Sequence, residues 1–409
     1  MHDRTDIDTP ARPAEPPARP ARRAKPNGAG EAAPATADEA PPLPYGFAYR
    51  KKSIVWQDMS DPEKPPLVVC GALRALARTH DGRGHDWGVL LSWTDPRGNE
   101  HQWSMPRAML AGDGAELRAM LLSRGLFVAP GRKAREKLAE LLLTVSPPGL
   151  VCVTRRLGWH GGSFVLPEPD PDLAPGLVLQ TERLDALPPL HEAGTLEEWR
   201  REVAALAVGN SRRVLALGAA FAAPLLDLVG MEGGGVHLRG SSSIGKTSAA
   251  WVAGSVWGGS ADDRVRWVRS WRATANALEA VAAAHSDLLL VLDEIGEASG
   301  ETIAEAAYML ANGSGKGRAA RDGALRAPAT WRVLFLSTGE TGLAAHMAEA
   351  RGGPRRLRAG QEVRVLDVPA EAGPLGLFER LPTGCATPAA FADWLRGAAK
   401  RFHGTAGRA

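Results

Sequence analysis

The stretch "HLRGSSSIGKTSAA", residues 237–250, carries two glycines, a lysine and a hydroxyl group at a fixed spacing. Gly240-x-x-x-x-Gly245-Lys246-Thr247 is the phosphate-binding loop pattern, in which the glycines let the backbone curl so that its N–H groups point at an anion. A short apolar run precedes the pattern, and a helix-forming run, "TSAAWVAGSVW", follows it. The motif requires this strand–loop–helix context, so the context favours a functional loop over a chance match.

The pattern predicts a nucleoside triphosphate, bound with a magnesium ion, as the ligand of this loop. The helix that begins near Lys246 directs its positive dipole end at the phosphates, and the Lys246 ammonium reaches the β- and γ-phosphates. The Thr247 hydroxyl is the predicted protein ligand of Mg²⁺. The predicted ATP-binding residues are Gly240, Ser241, Ser242, Ser243, Ile244, Gly245, Lys246, Thr247 and Ser248.

Two further runs have the composition of buried parallel strands with polar residues at their ends. "DLLLVLDEIGE" is an unbroken apolar run that ends in Asp293 and Glu294. At such a position Asp293 would hold Mg²⁺, and Glu294 would orient or deprotonate the attacking water. "WRVLFLSTGE" ends in Ser337 and Thr338, either of which is a candidate to hydrogen-bond the γ-phosphate or the water.

Together, the phosphate loop, the acidic strand and the polar strand predict an α/β fold with a P-loop NTPase core. The core is expected to be a parallel sheet of the additional-strand type (AAA+/RecA-like), with the polar strand between the other two. Nucleoside kinases usually lack a glutamate after the strand aspartate, and the LSGGQ signature of transporter ATPases is absent from the sequence. Both of these classes are therefore disfavoured.

A glycine-punctuated basic segment, "NGSGKGRAARDGALRAPATWR", separates the acidic strand from the polar strand. In ring-forming ATPases an insertion at this point faces the central channel. A basic hairpin there would hold nucleic-acid phosphates through charge, whatever the base sequence. We therefore predict contacts to single-stranded DNA from Lys316, Arg318 and Arg321. The alternative interpretation is a solvated surface loop.

A second group of arginines follows the polar strand in "ARGGPRRLRAGQEVRVLDVP". An arginine supplied by a neighbouring subunit can stabilise charge that develops on the γ-phosphate. Arg364 lies inside a strand-like run and is the first candidate for this role, followed by Arg356 and Arg355. Each of them is equally consistent with an ordinary surface ion pair.

The rest of the chain divides by composition. Residues 1–44 are rich in proline and alanine and are predicted to be a disordered tail. An α+β module is predicted over 45–190, with a hairpin at 87–105 and a strand pair at 155–167. A helical linker (191–230) follows; it contains a capping box at Thr195 and Glu198 and a helix from about Ser211 to Val229. The ATPase core is then assigned to 231–370 and a C-terminal helical segment to 371–409.

Composition supports an ordinary globular protein of the cytoplasm. The chain has 409 residues, is 44% hydrophobic and 23% charged, and has a net charge of +3, which is too small to indicate a partner. Its three cysteines match no metal or disulfide spacing, and no signal peptide or membrane span is evident. Four histidines of the N-terminal half are irregularly spaced and do not indicate a metal site: His80, His85, His101 and His160.

From about Tyr45 onward the sequence resembles the predicted ATPase domain of Cch-like helicases, a bacterial family of phages, plasmids and mobile elements. The resemblance rests on motifs that include "RRLGWHGGSFVLP", "FAAPLLDLVGMEGGGVHLRGSSSIGKTSAAWVAGSVWG", "YMLANGSGKGRAARDG" and "GQEVRVLDVP". It implies an ATP-driven helicase or translocase in replication, working as a homo-oligomeric ring beside primase or other replication proteins. Relatives continue past "FADWLRGAAKRFHGTAGRA", so we expect this chain to lack a further helical region.

The leading hypothesis is therefore a Mg-ATPase that unwinds or translocates DNA. A different class stays open: a nucleotide-dependent regulatory or defence ATPase, in which the N-terminal module senses a partner and no DNA moves. A primase role for that module is disfavoured because it lacks a cluster of metal-binding carboxylates. Stimulation of hydrolysis by DNA separates the two main hypotheses.

Overall fold

Five strands of the C-terminal half form one parallel sheet, and the strands of the N-terminal half form sheets of three, five and two strands. The computed structural model describes residues 42–167, 176–180, 187–262, 264–319, 325–326, 328–343, 345 and 364–409. Residues Ala40–Ala409 belong to one unit. Because helices and strands both occur in this unit, its architecture is mixed α/β.

The N-terminal half consists mainly of strands, with two helices packed against them. Its elements are β1 (Phe47–Arg50), β2 (Ser53–Trp56), β3 (Leu67–Gly71), β4 (Arg74–His80), β5 (Gly88–Thr94), β6 (Glu100–Pro106), α1 (Ala115–Ser123), α2 (Arg132–Thr144), β7 (Gly149–Thr154), β8 (Gly158–His160), β9 (Ser163–Val165) and β10 (Leu177–Leu179). The sheet orders are β1-β2-β3, β10-β7-β4-β5-β6 and β8-β9. The β5–β6 and β8–β9 hairpins confirm the two predicted strand pairs.

The second half contains both helices and strands. Its elements are α3 (Leu196–Trp199), α4 (Ser211–Ala222), α5 (Leu225–Leu228), β11 (Gly234–Arg239), α6 (Lys246–Gly254), β12 (Arg269–Ser270), α7 (Ala275–Ala284), β13 (Leu289–Asp293), α8 (Gly300–Asn312), β14 (Arg318–Ala319), β15 (Leu325–Arg326), β16 (Leu334–Gly339), β17 (Val365–Pro369), α9 (Pro388–Arg401) and α10 (Thr405–Arg408).

The parallel sheet has the strand order β12-β13-β16-β11-β17. The polar strand β16 thus lies between the phosphate-loop strand β11 and the acidic strand β13, which is the position that the sequence predicted for it. Leu289 to Leu292 of β13 are fully buried because both faces of the sheet are covered. The core on one face includes residues of α4, α6 and α9, and the core on the other includes residues of α7 and α8. All five carboxyl strand ends therefore meet at one edge.

The predicted helix from Ser211 to Val229 is wrong in one respect: it is two helices, α4 and α5, interrupted at Pro224. Proline lacks a backbone N–H and its ring clashes with the preceding turn, so the helix cannot run through it. The predicted capping box is confirmed. The Thr195 hydroxyl accepts from the Glu198 N–H at 3.2 Å, and the Glu198 carboxylate accepts from the Thr195 N–H at 2.8 Å.

The β8–β9 hairpin is joined to the amino edge of the parallel sheet by hydrogen bonds. The Trp159 N–H donates to Asp287 Oδ2 at 3.0 Å, and the Trp159 indole N–H donates to the carbonyl of Pro224 at 2.7 Å. Asp287 comes just before β13 and has a left-handed backbone with φ 60°. The hairpin therefore fixes the end of β13 that lies opposite the phosphate loop.

The C-terminal helix α9 packs on α6, the helix that follows the phosphate loop, through buried Phe391 and Leu395. The segment that connects β17 to α9 crosses the loop itself, where the Leu377 N–H donates to the Ile244 carbonyl at 2.9 Å. Among the described residues, no helix is both long enough and apolar enough to span a membrane.

Candidate active site

Three neighbouring strands bring the predicted site residues to one edge of the parallel sheet. The phosphate loop (residues 240–247) follows β11, Asp293 ends β13, and Thr338 lies near the end of β16. The pairing register aligns Leu238 with Thr338, and Leu292 with Ser337. Thr338 therefore lies between the loop and the acid pair.

The phosphate loop has the curled backbone that an anion site needs. Ser243 and Gly245 both have left-handed backbones, with φ 62° and 107°, and α6 begins immediately afterwards at Lys246. A Cβ on Gly240 would lie 2.7 Å from Ile244 Cδ1, so the end of the Ile244 side chain would have to shift to admit a larger residue. Residues 241–243 are exposed, which leaves this side of the loop open to a ligand.

The Lys246 side chain is folded back into its own loop. Its Nζ donates to the carbonyls of Gly240 at 2.7 Å and Ser241 at 2.6 Å. The ammonium is therefore already held over the loop, where it can exchange these carbonyls for phosphate oxygens. Ser248, also predicted to bind ATP, has a buried hydroxyl that donates to the carbonyl of Ala392 in α9 at 3.4 Å, so this side chain does not face the loop.

Asp293 is the acid that lies next to the phosphate loop. Its Oδ1 is 3.4 Å from the Thr247 hydroxyl and also accepts a hydrogen bond from the Thr338 hydroxyl. A hydroxyl and a carboxylate at this spacing are the hard oxygen donors that Mg²⁺ prefers. Because the ion usually keeps water and phosphate oxygens as its other ligands, one or two protein groups are enough. The residues present therefore fit a magnesium ion.

Glu294 follows directly with an unusual backbone for a non-glycine residue, φ 59°. Its N–H donates to the Thr338 hydroxyl at 3.1 Å, so a single hydroxyl holds both acids of the pair. Partial burial and the negative charge of Asp293 raise the pKa of Glu294, although the Lys246 ammonium opposes the shift. Strained backbones and raised carboxyl pKa values are features of functional sites.

Of the two polar residues predicted at the tip of β16, only Thr338 reaches the acid pair. Successive strand side chains point to opposite faces, and Ser337 is directed into the core. Its hydroxyl accepts from the Trp271 indole N–H at 2.9 Å and lies 2.9 Å from His237 Nδ1. His237 Nε2 lies 3.0 Å from the Thr341 carbonyl, which can only accept. Nε2 therefore carries a proton, and burial lowers the pKa of this imidazole, which favours its neutral form.

Arg364, the first candidate for the arginine that acts on a neighbouring subunit, precedes β17 at the amino edge of the sheet. It forms an ion pair with Glu232 at 2.8 Å and donates to Asn312 Oδ1. Its own phosphate loop lies at the opposite edge of the sheet, so Arg364 does not reach that loop. Arg355 and Arg356 lie outside the described residues.

The basic segment contains the expected hairpin, formed by β14 and β15, with Arg318 paired in register with Arg326. Lys316 forms an ion pair with Glu305 of α8, and both side chains are about half exposed. Arg332 has a structural role instead, because it forms an ion pair with Asp227 and lies 3.8 Å from Asp287. Arg321 lies outside the described residues.

Two polar residues near the site, His237 and Glu371, were not predicted from the sequence. His237 lies inside the opening motif, but its partners, Ser337 and Trp271, come from distant parts of the chain. Glu371 is the second residue after β17, and its carboxylate contacts Ser241 of the phosphate loop. The sequence did indicate that Glu371 is an acidic residue just after a strand. Such a residue lies at the same edge of the sheet as the phosphate loop.

Comparison with known proteins shows the family of this chain and a solved structure with a similar fold. Residues 47–330 match the model of a family described as Domain of unknown function (DUF927). A solved structure titled "SCCmec type IV Cch - active helicase" superposes with a TM-score of 0.64 at 19% sequence identity. The match covers 89% of this chain and 63% of that protein, so this chain spans less than two thirds of its length. A search of curated proteins found no match.

Proposed function

The chain belongs to the family of the Domain of unknown function (DUF927), and on that premise we propose that it is a magnesium-dependent ATPase that moves along or unwinds DNA. In fold class, it would be an additional-strand P-loop NTPase, with the AAA+/RecA-like order in which the polar strand separates the phosphate loop from the acids. The similar fold of a protein titled an active helicase supports the same class of enzyme.

The observation that carries the ATPase proposal is the convergence on Thr338. One buried hydroxyl contacts both Asp293 and Glu294, and Asp293 lies 3.4 Å from Thr247 of the phosphate loop. The phosphate loop, the acid pair and Thr338 belong to three separate strands. Packing of the apolar core alone does not require their polar groups to meet. Hydrolysis of a phosphoanhydride needs this set: an anion cradle, a metal-binding acid and a base.

Each of these residues would have a separate role in nucleotide binding and hydrolysis. The loop N–H groups and Lys246 bind the phosphates, and Thr247 and Asp293 hold Mg²⁺, which neutralises phosphate charge when bound. Glu294 orients the attacking water and accepts its proton as the oxygen bonds to the γ-phosphorus, giving ADP and phosphate. Its raised pKa makes the carboxylate a stronger base than an ordinary glutamate.

The DNA part of the proposal rests on the β14–β15 hairpin and the fold similarity. Lys316, Arg318 and Arg321 would contact the phosphates of single-stranded DNA, with Arg364 or Arg356 completing the site of a neighbouring copy in a ring. The setting would be replication of a phage, plasmid or other mobile element in the cytoplasm, beside primase or other replication proteins.

The test measures ATP hydrolysis by the full chain with and without single-stranded DNA. We expect wild-type hydrolysis to rise with DNA, and Glu294→Gln to lower the rate at least about 100-fold, the usual scale for a general base. Changing Lys316 and Arg318 together to alanine should remove the DNA stimulation while sparing basal turnover. Hydrolysis that ignores DNA in every variant would instead favour the regulatory ATPase.

A further inference from the structure

A carboxylate of the chain itself lies on the phosphate loop. Glu371 Oε1 accepts hydrogen bonds from the Ser241 N–H at 3.2 Å and from the Ser241 hydroxyl at 2.9 Å. The backbone carries it there, because the Ala370 N–H donates to the Arg239 carbonyl at 2.7 Å and extends the β17–β11 pairing. A loop built to bind an anion is therefore already binding one.

The charges around Glu371 favour this contact. The hydrogen bonds from Ser241 lower the pKa of Glu371, and the positive charges of Lys246 and Arg239 add to the shift, so the side chain is a carboxylate at neutral pH. Lys246 Nζ donates to the Ser241 carbonyl at 2.6 Å, which places the ammonium on the same residue. Ser241 therefore lies where the terminal phosphates of a nucleotide would meet this lysine.

Only the Glu371 side chain needs to move for this position to open. Its side chain is exposed, whereas the backbone on both sides is anchored. The Pro369 carbonyl accepts from Arg212 Nε at 2.9 Å, and the Leu377 N–H donates to the Ile244 carbonyl at 2.9 Å. A rotation of the carboxylate into water breaks two hydrogen bonds and leaves the connecting segment in place.

We propose that Glu371 is an internal competitor for ATP, holding the Ser241 donors until the terminal phosphate displaces it. This inference rests on the proposed ATPase function. A bound triphosphate places like charge beside the carboxylate, so the two anions exclude each other at this edge of the loop. ADP lacks the terminal phosphate, so it meets less competition. Glu371 thus weakens ATP binding more than ADP binding.

The test compares nucleotide affinity in full-length Glu371→Gln and wild type, using fluorescent ATP and ADP analogues with Mg²⁺. The glutamine keeps an oxygen that can accept from Ser241 but loses the charge. We expect it to bind the ATP analogue about tenfold more tightly, with a clearly smaller change for the ADP analogue. Glu136→Gln, a change of equal charge on the exposed surface of α2, should leave both affinities unchanged.

Other results would overturn the inference. If Glu371 only braces the loop, Glu371→Gln and Glu371→Ala will bind ATP more weakly, or both nucleotides will change equally. If wild type binds ATP and Glu371→Gln binds it no better, the competitor role fails while the ATPase proposal stands. If neither protein binds ATP, the proposed function fails and this inference fails with it.

Discussion

Thr338 and its neighbour Ser337 offer a sharp test of the site, because both are buried hydroxyls of β16 that serve different networks. Thr338→Val keeps the shape of the side chain and removes its only polar atom. The variant leaves the Glu294 N–H without its acceptor and Asp293 without one donor. Each buried polar group left unpaired costs about 1–3 kcal/mol, so stability should fall measurably without loss of the fold.

The effect on catalysis should be larger than the effect on stability. The Glu294 backbone is strained at φ 59°, and the Thr338 hydroxyl is the hydrogen-bond partner that the structure gives its N–H. Once released, the base can shift by about 1 Å, a displacement that typically costs about 100-fold in rate. We expect kcat of Thr338→Val to fall by about 100-fold with little change in KM for ATP, whereas Thr338→Ser, which keeps the hydroxyl, should stay close to wild type.

Ser337→Ala is the matched comparison. It leaves the indole N–H of Trp271 and Nδ1 of His237 unpaired, so its melting temperature should drop about as much as that of Thr338→Val. Its kcat should remain within about threefold of wild type, because no contact with the acids is lost. The assay is steady-state ATP hydrolysis beside thermal unfolding. The reasoning is refuted if both variants lose activity equally while folded, or if Thr338→Val turns over normally.

Two further predictions concern pH and backbone strain. Because the pKa of Glu294 in the nucleotide-free protein is raised and the proposed mechanism needs its carboxylate, kcat/KM should be full above that pKa and fall as the pH drops through it. The acid limb of a pH–rate profile should therefore lie above the ordinary glutamate value of 4.5, and a limb at or below 4.5 in a folded protein would contradict the assignment. A Cβ on Gly158, whose φ is 91°, would lie 2.2 Å from Asp287 Oδ2, so Gly158→Ala combines left-handed strain with a clash. Its melting temperature should fall well below that of Gly161→Ala, where φ is 57° and the space is open; equal melting temperatures would contradict the hairpin–Asp287 contact.

The parallel sheet and the phosphate loop were predictable because their signals are local. β13 and β16 are apolar runs that end in polar residues, and β11 directly precedes the phosphate-loop motif. Parallel strands bring such ends together at one edge of the sheet. The break at Pro224 was also predictable from the local sequence, because proline disrupts a helix. The prediction of one continuous helix did not take this proline into account.

What the sequence could not supply were contacts between distant segments. Ser337 and Thr338 are adjacent polar residues of a strand, and only the packed core on one face decides which of them meets the acids. Glu371 is separated from Ser241 by 130 positions, and an acid after a strand is common on protein surfaces. Arg332 belongs by sequence to the basic segment, yet the position of Asp227 turns it into a structural ion pair.

Both ends of β13 carry a non-glycine residue with a left-handed backbone: Asp287 before it and Glu294 after it. Asp287 holds the β8–β9 hairpin through Trp159, and Glu294 is held by Thr338 at the candidate active site. Leu289 to Leu292 of the strand between them are fully buried in the close-packed core. Asp287 and Glu294 therefore link the β8–β9 hairpin and the candidate active site to the two ends of one largely buried strand.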